Sequence, residues 1–64
     1  MVQINGKTED AAGMTLFNYL KQAGYQPERI AVECNEEIVP KASYGEKILQ
    51  DGDVLEVVSF VGGG

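Results

Sequence analysis

Apolar and polar residues alternate from the first positions of the chain, with Val2 and Ile4 separated by polar neighbours. That is the period of a half-buried strand. Asn5-Gly6 follows, the dipeptide a tight type I′ turn prefers because both central positions need positive φ. Lys7 to Asp10 reads as the returning strand, more polar and nearer an edge, and Ala11-Ala12-Gly13 breaks the pattern. The period then changes. Leu16, Tyr19, Leu20 and Ala23 fall at i, i+3, i+4 and i+7 with Phe17 flanking them, which predicts a one-sided helix of about ten residues. Thr15 is placed to cap its N-terminus. Gly24 is placed to end it in the left-handed conformation, and Pro27 prevents it from resuming.

Alternation returns at Ile30, Val32 and Cys34. Asn35-Glu36-Glu37 turns the chain, and Ile38-Val39 reads as a short strand ended by Pro40. Lys41 to Gln50 has no clear period, with Tyr44, Ile48 and Leu49 available as core anchors. Asp51-Gly52-Asp53 is a turn signal. It launches Val54 to Val61, the longest apolar strand, which an interior position in a sheet would explain. One helix packed across a mixed sheet of four or five strands, last strand beside the first, satisfies this order. The predicted class is α+β, the β-grasp or ubiquitin-like arrangement, with a domain over residues 1–61 and a flexible glycine tail at 62–64.

Composition narrows the chemistry. At 64 residues there is room for one core, and a chain this short buries only about 60% of its unfolded surface. A deep enclosed active site is not expected. Ten acidic against five basic residues give a net charge of −5, the wrong sign for a nucleic-acid binder. With no histidine, the usual neutral-pH acid–base is missing and no serine or cysteine triad can be assembled. One cysteine, Cys34, fits a reducing compartment and excludes zinc-finger spacing. On the strand face of Ile30 and Val32, beside Glu33, it reads as a buried inert thiol. Glu36-Glu37 and Asp51/Asp53 read as turn residues, since they lack the fixed ligand loop of a calcium site. No bound metal or cofactor is expected. The N-terminus lacks a signal-peptide pattern and no apolar run approaches a bilayer span, so a cytoplasmic protein with no membrane partner is expected.

The last three residues, Gly62-Gly63-Gly64, contribute nothing to a core. They are slender, and three extended residues reach about 10 Å, enough to deliver a terminal carboxylate into another protein's active site. A frayed end is the alternative. Along the last strand, Leu55 and Val57 share one face, and Val54, Glu56, Val58 and Phe60 the other. With the helix over the first face, Val58 and Phe60 form an apolar patch beside the tail, rimmed by acidic residues and suited to docking a partner. The alternative is that Phe60 caps the core.

Three segments carry a resemblance over the whole chain: Asn35-Glu36-Glu37-Ile38-Val39-Pro40, Leu49-Gln50-Asp51-Gly52-Asp53, and Phe60-Val61-Gly62-Gly63-Gly64. In this order and at this length the chain resembles the ThiS family of thiamine-biosynthesis sulfur carriers. The resemblance implies a carrier acted on by partner enzymes, not an enzyme itself. A ThiF-like adenylyltransferase would use ATP to adenylate Gly64. Sulfur from a donor such as a cysteine desulfurase would convert it to a thiocarboxylate, and the thiazole synthase ThiG would consume that sulfur. Gly62 and Gly63 would be the partner-binding tail. A carrier for another pathway, similar to the small subunit of molybdopterin synthase, and a ubiquitin-like modifier share these features.

Overall fold

A computed structural model describes residues 1–60; Val61 and the glycines at 62–64 lie outside the described residues. The chain runs β1 (Val2–Ile4), β2 (Lys7–Glu9), α1 (Leu16–Gln22), a 3-10 turn (Pro27–Arg29), β3 (Ile30–Cys34), β4 (Glu37–Ile38), a second 3-10 turn (Lys41–Ser43) and β5 (Val54–Ser59). The five strands form one mixed sheet in the order β2-β1-β5-β3-β4. β5 lies parallel to β1 and antiparallel to β3, so the last strand is central and beside the first, the β-grasp arrangement.

The first hairpin forms because Asn5 and Gly6 both adopt positive φ, 52° and 83°. α1 starts where Thr15 accepts the Asn18 amide on its side chain at 3.1 Å. Leu16 and Phe17, whose amides have no partner within the helix, donate to Lys47 and Tyr44 carbonyls at 2.8 and 2.9 Å. The aperiodic segment after β4 is therefore held in place by capping the helix. The far end closes as a Schellman motif: Gly24 (φ 93°) donates to Lys21 and Tyr25 donates to Leu20, which satisfies carbonyls the helix leaves free.

These closures explain where sequence and structure differ. α1 has seven residues instead of about ten, because Gly24 reverses the chain directly after Ala23. Ala23 is the C-cap and is exposed, not part of the buried face. β4 is Glu37–Ile38, one residue earlier than expected. Its Ile38 is 74% exposed, while Val39 turns into the core. Of the three anchors expected between residues 41 and 50, Tyr44 and Leu49 are buried, but Ile48 is 47% exposed. Its backbone forms an isolated bridge to Thr15, so the residue serves the edge of the fold through its main chain.

The core is a single layer between α1 and one face of the sheet. Leu16 and Leu20 meet Val2, Ile4, Ile30, Val32, Leu55 and Val57 there, the alternate positions of β1, β3 and β5. No polar or charged residue is buried among the described residues.

Two left-handed asparagines fix the central strand from either side. Where β1 turns away, Asn5 keeps pairing with β5: its amide donates to Leu55 and its side chain engages Val57. Where β3 turns away, Asn35 (φ 53°) does the same. Its amide donates to the Val54 carbonyl at 2.8 Å, and its Oδ1 accepts the Val54 amide at 3.0 Å. Each side chain replaces the strand residue that the turn removes from the ladder.

Candidate functional site

The helix covers the Leu55/Val57 face of β5, which leaves the opposite face of the sheet without a covering layer. Strand alternation brings Val54, Glu56 and Val58 onto it, and Phe60 continues the row past the end of β5. Val58 is 56% exposed and Phe60 59% exposed. Phe60 therefore does not cap the core. Val58 is in register with Ala31 of β3, Glu56 with Glu33, and Glu33 in turn with Ile38 of β4. The open face thus holds an apolar end toward Phe60 and a carboxylate-rich end toward the β3–β4 turn.

The apolar end is anchored at its last described residue. The Phe60 amide donates to the Arg29 carbonyl at 2.9 Å, extending the β3–β5 pairing by one step. The Lys41 ammonium lies 5.8 Å from the Phe60 ring centroid and donates to the Glu28 carbonyl at 2.8 Å. A cation over an exposed ring contributes roughly 0.5–1 kcal/mol, so Lys41 ties the ring to the two 3-10 turns. Sequence periodicity could not find this contact, because Lys41 lies in the segment with no period. Ile38 was also missed as a surface residue: a two-residue strand does not show which of its faces is buried.

The carboxylate end surrounds a shallow concavity of about 630 Å³ lined by Glu33, Asn35, Glu36, Val54 and Glu56. Asp53 belongs to the turn beneath it. Burial alone would raise the Asp53 carboxyl, but the Gln50 amide, the Asn35 carboxamide and nearby Lys47 outweigh that and hold it below its ordinary value. Two of these contacts are hydrogen bonds, from Gln50 N at 2.9 Å and from Asn35 Nδ2 at 3.1 Å. Among the described residues, no three acidic or cysteine side chains gather at metal-ligating range.

Cys34 is 6% exposed. Burial pushes its thiol up, and the Asp53 carboxylate beside it pushes further, against a weaker opposing pull from Lys47. A thiol so placed stays protonated at neutral pH and is a poor nucleophile. The carboxylate that acts on it is that of Asp53, while Glu33, its neighbour in the chain, lies on the opposite face by strand alternation.

Val58 and Phe60 are both exposed, Val58 on the open face by strand alternation and Phe60 just past the end of β5, where it lines a shallow hollow with Tyr25, Gln26, Arg29 and Ser59. The other candidate residues, Gly62, Gly63 and Gly64, lie outside the described residues. The ThiS family model matches residues 2–64. The sulfur carrier protein ThiS of Bacillus subtilis is 44% identical over 66 residues, covering 100% of both chains. A thiazole synthase of Magnetococcus marinus is 44% identical over 64 residues, covering 98% of this chain but 20% of its own; this chain thus spans about one fifth of that protein. The crystal structure of the thiamine biosynthesis protein ThiS from Geobacter metallireducens superposes with a TM-score of 0.76 at 31% identity, covering 98% of this chain and 97% of that one. A family match across nearly every residue, with a solved relative of the same fold, makes this chain a member of the ThiS family.

Proposed function

We propose that the chain is a sulfur carrier for thiazole formation in thiamine biosynthesis, with the Gly64 carboxylate as its working group. The observation that carries this reading is the reach of the family match, which runs through the glycine tail to residue 64. The full-length likeness to a protein named as a sulfur carrier supports it. The matching segment within a thiazole synthase supports a synthase of that kind, ThiG, as the acceptor.

A carboxylate is a poor electrophile until one oxygen becomes a good leaving group. A ThiF-like adenylyltransferase would supply that activation: the Gly64 carboxylate attacks the α-phosphorus of ATP, and pyrophosphate departs. A desulfurase-type donor carries cysteine-derived sulfur as a persulfide, whose outer sulfur attacks the acyl carbon and displaces AMP; a thiol then reduces the resulting acyl disulfide and releases the thiocarboxylate. The carrier's own residues perform none of this catalysis. Its part is a docking face at Val58 and Phe60 and a slender tail through Gly62 and Gly63 that enters a partner's channel. ATP is the partner's substrate, not a cofactor of the carrier.

The test incubates the protein with the adenylyltransferase, ATP and a sulfur donor, then localises any mass gain by tandem mass spectrometry. Intact mass is insufficient, because exchange of oxygen for sulfur weighs nearly the same as oxidation of Met1, Met14 or Cys34. A gain confined to Gly64 and reactive to alkylation is expected. An activated terminus that forms amide links to other proteins instead would assign a modifier, and no ATP-dependent change at Gly64 would remove both readings.

A further inference from the structure

Glu33 and Glu56 are direct register partners on β3 and β5, the two strands at the middle of the open face. Like charges placed opposite each other across an antiparallel pair destabilise the sheet. Neither glutamate takes part in an ion pair among the described residues. The one ion pair among the described residues joins the Met1 amino group to Asp51, and Lys41 is engaged at the Phe60 end of the face. Glu36 adds a third carboxylate to the same concavity. Exposed Val54, Val58 and Ile38 adjoin the glutamates, so the face combines an apolar area with an uncompensated negative centre.

From this arrangement we infer that the open sheet face docks a protein surface that seats an arginine or lysine between Glu33 and Glu56 while an apolar area covers Val58 and Phe60. Charge complementarity selects this occupant. A nucleic acid would bring more negative charge to the glutamates. A second copy meeting the same face would set carboxylate against carboxylate. A basic side chain converts the repulsion of the pair into two attractions, and desolvation by the surrounding apolar contact strengthens both. The isolated protein is less stable for carrying the pair, and the complex recovers that loss. This inference rests on the carrier reading and names the chemistry by which the adenylyltransferase would recognise the face.

The test compares the wild type with Glu33→Gln, Glu56→Gln and the double variant. Melting temperatures of the isolated proteins are measured. Binding to the thiamine-pathway adenylyltransferase is followed by calorimetry across a range of salt, and adenylation of Gly64 is read separately by pyrophosphate exchange. Each Gln variant should melt about 1–5 °C higher than the wild type. The double variant should bind about tenfold or more weakly and lose most of the salt dependence. Variants that melt no higher, or that bind as tightly as the wild type with the same salt dependence, would overturn the inference. A wild type that binds with this salt dependence but is never adenylated would remove the carrier reading and leave the docking inference in place. A wild type that fails to bind, or one that dimerises through this face in sedimentation and loses the dimer on Val58→Asp, would overturn it.

Discussion

The carboxamide of Asn5 pairs with both backbone groups of Val57: its Oδ1 accepts the amide at 2.8 Å and its Nδ2 donates to the carbonyl at 3.3 Å. Residues 52 positions apart are thereby joined at the point where β1 leaves the sheet. One residue thus supplies a turn conformation and the last rung of the β1–β5 ladder.

Replacing it separates the two roles. Asn5→Gly keeps the positive φ and removes only the rung, leaving the part-buried Val57 amide unpaired, at about 2 kcal/mol. In a domain this small that lowers the melting temperature by about 8–15 °C. Asn5→Ala should cost more than Asn5→Gly, because alanine keeps a Cβ at positive φ without the short polar side chain that lets asparagine tolerate the left-handed region. Thermal unfolding of the two variants checks the order: Ala below Gly below wild type.

Gly24 offers a cleaner measure of conformational strain. A Cβ built at this position meets nothing within 4 Å, so steric overlap does not contribute. The cost of Gly24→Ala comes from φ alone, 93° in the Schellman closure, and should be about 1–2 kcal/mol. Chemical denaturation should show that loss at unchanged m-value.

Asp53 should make stability fall in acid. Its carboxyl titrates below the ordinary 3.8, so the unfolded chain takes up the proton first as pH drops. The stabilisation is complete above the ordinary value and is lost as pH falls through the lower folded value. Asp53→Asn should therefore be less stable than the wild type at neutral pH, by about 1–2 kcal/mol from weakened hydrogen bonds. It should also lose less stability between about pH 6 and about pH 2.5. Urea midpoints at the two ends would show the curves converging.

The sequence revealed features whose causes are local. The Asn5-Gly6 turn, the Thr15 cap, the Gly24 stop and the two faces of β5 each follow from a neighbour or a short period. Long-range contacts were hidden. Nothing near Ile48 signals that its backbone, not its side chain, joins the fold. The helix lost length because the Schellman closure acts directly after Ala23, where the apolar period still continues. Around the candidate site, the exposure of Val58 and Phe60 was legible by alternation along the last strand. Lys41 and the Glu33–Glu56 pair were not, since they depend on register between segments about 20 residues apart or more.

Phe60 and Lys41 together test whether the face matters to sulfur transfer apart from the tail. Phe60 is 59% exposed and its amide bond to Arg29 needs no side chain, so Phe60→Ala should leave the fold intact and move stability by less than about 1 kcal/mol. If the exposed ring docks the adenylyltransferase, its removal takes an aromatic anchor from the interface, about 2 kcal/mol or roughly thirtyfold in the KM for the carrier. The turnover number should be nearly unchanged, because the ring contributes binding and no chemistry. Lys41→Met removes the cation over the ring and should raise that KM about two- to fivefold, with Lys41→Arg restoring it. Steady-state pyrophosphate exchange with the carrier as varied substrate measures all three. A Phe60→Ala protein with unchanged KM and full sulfur transfer would remove this residue from the docking face.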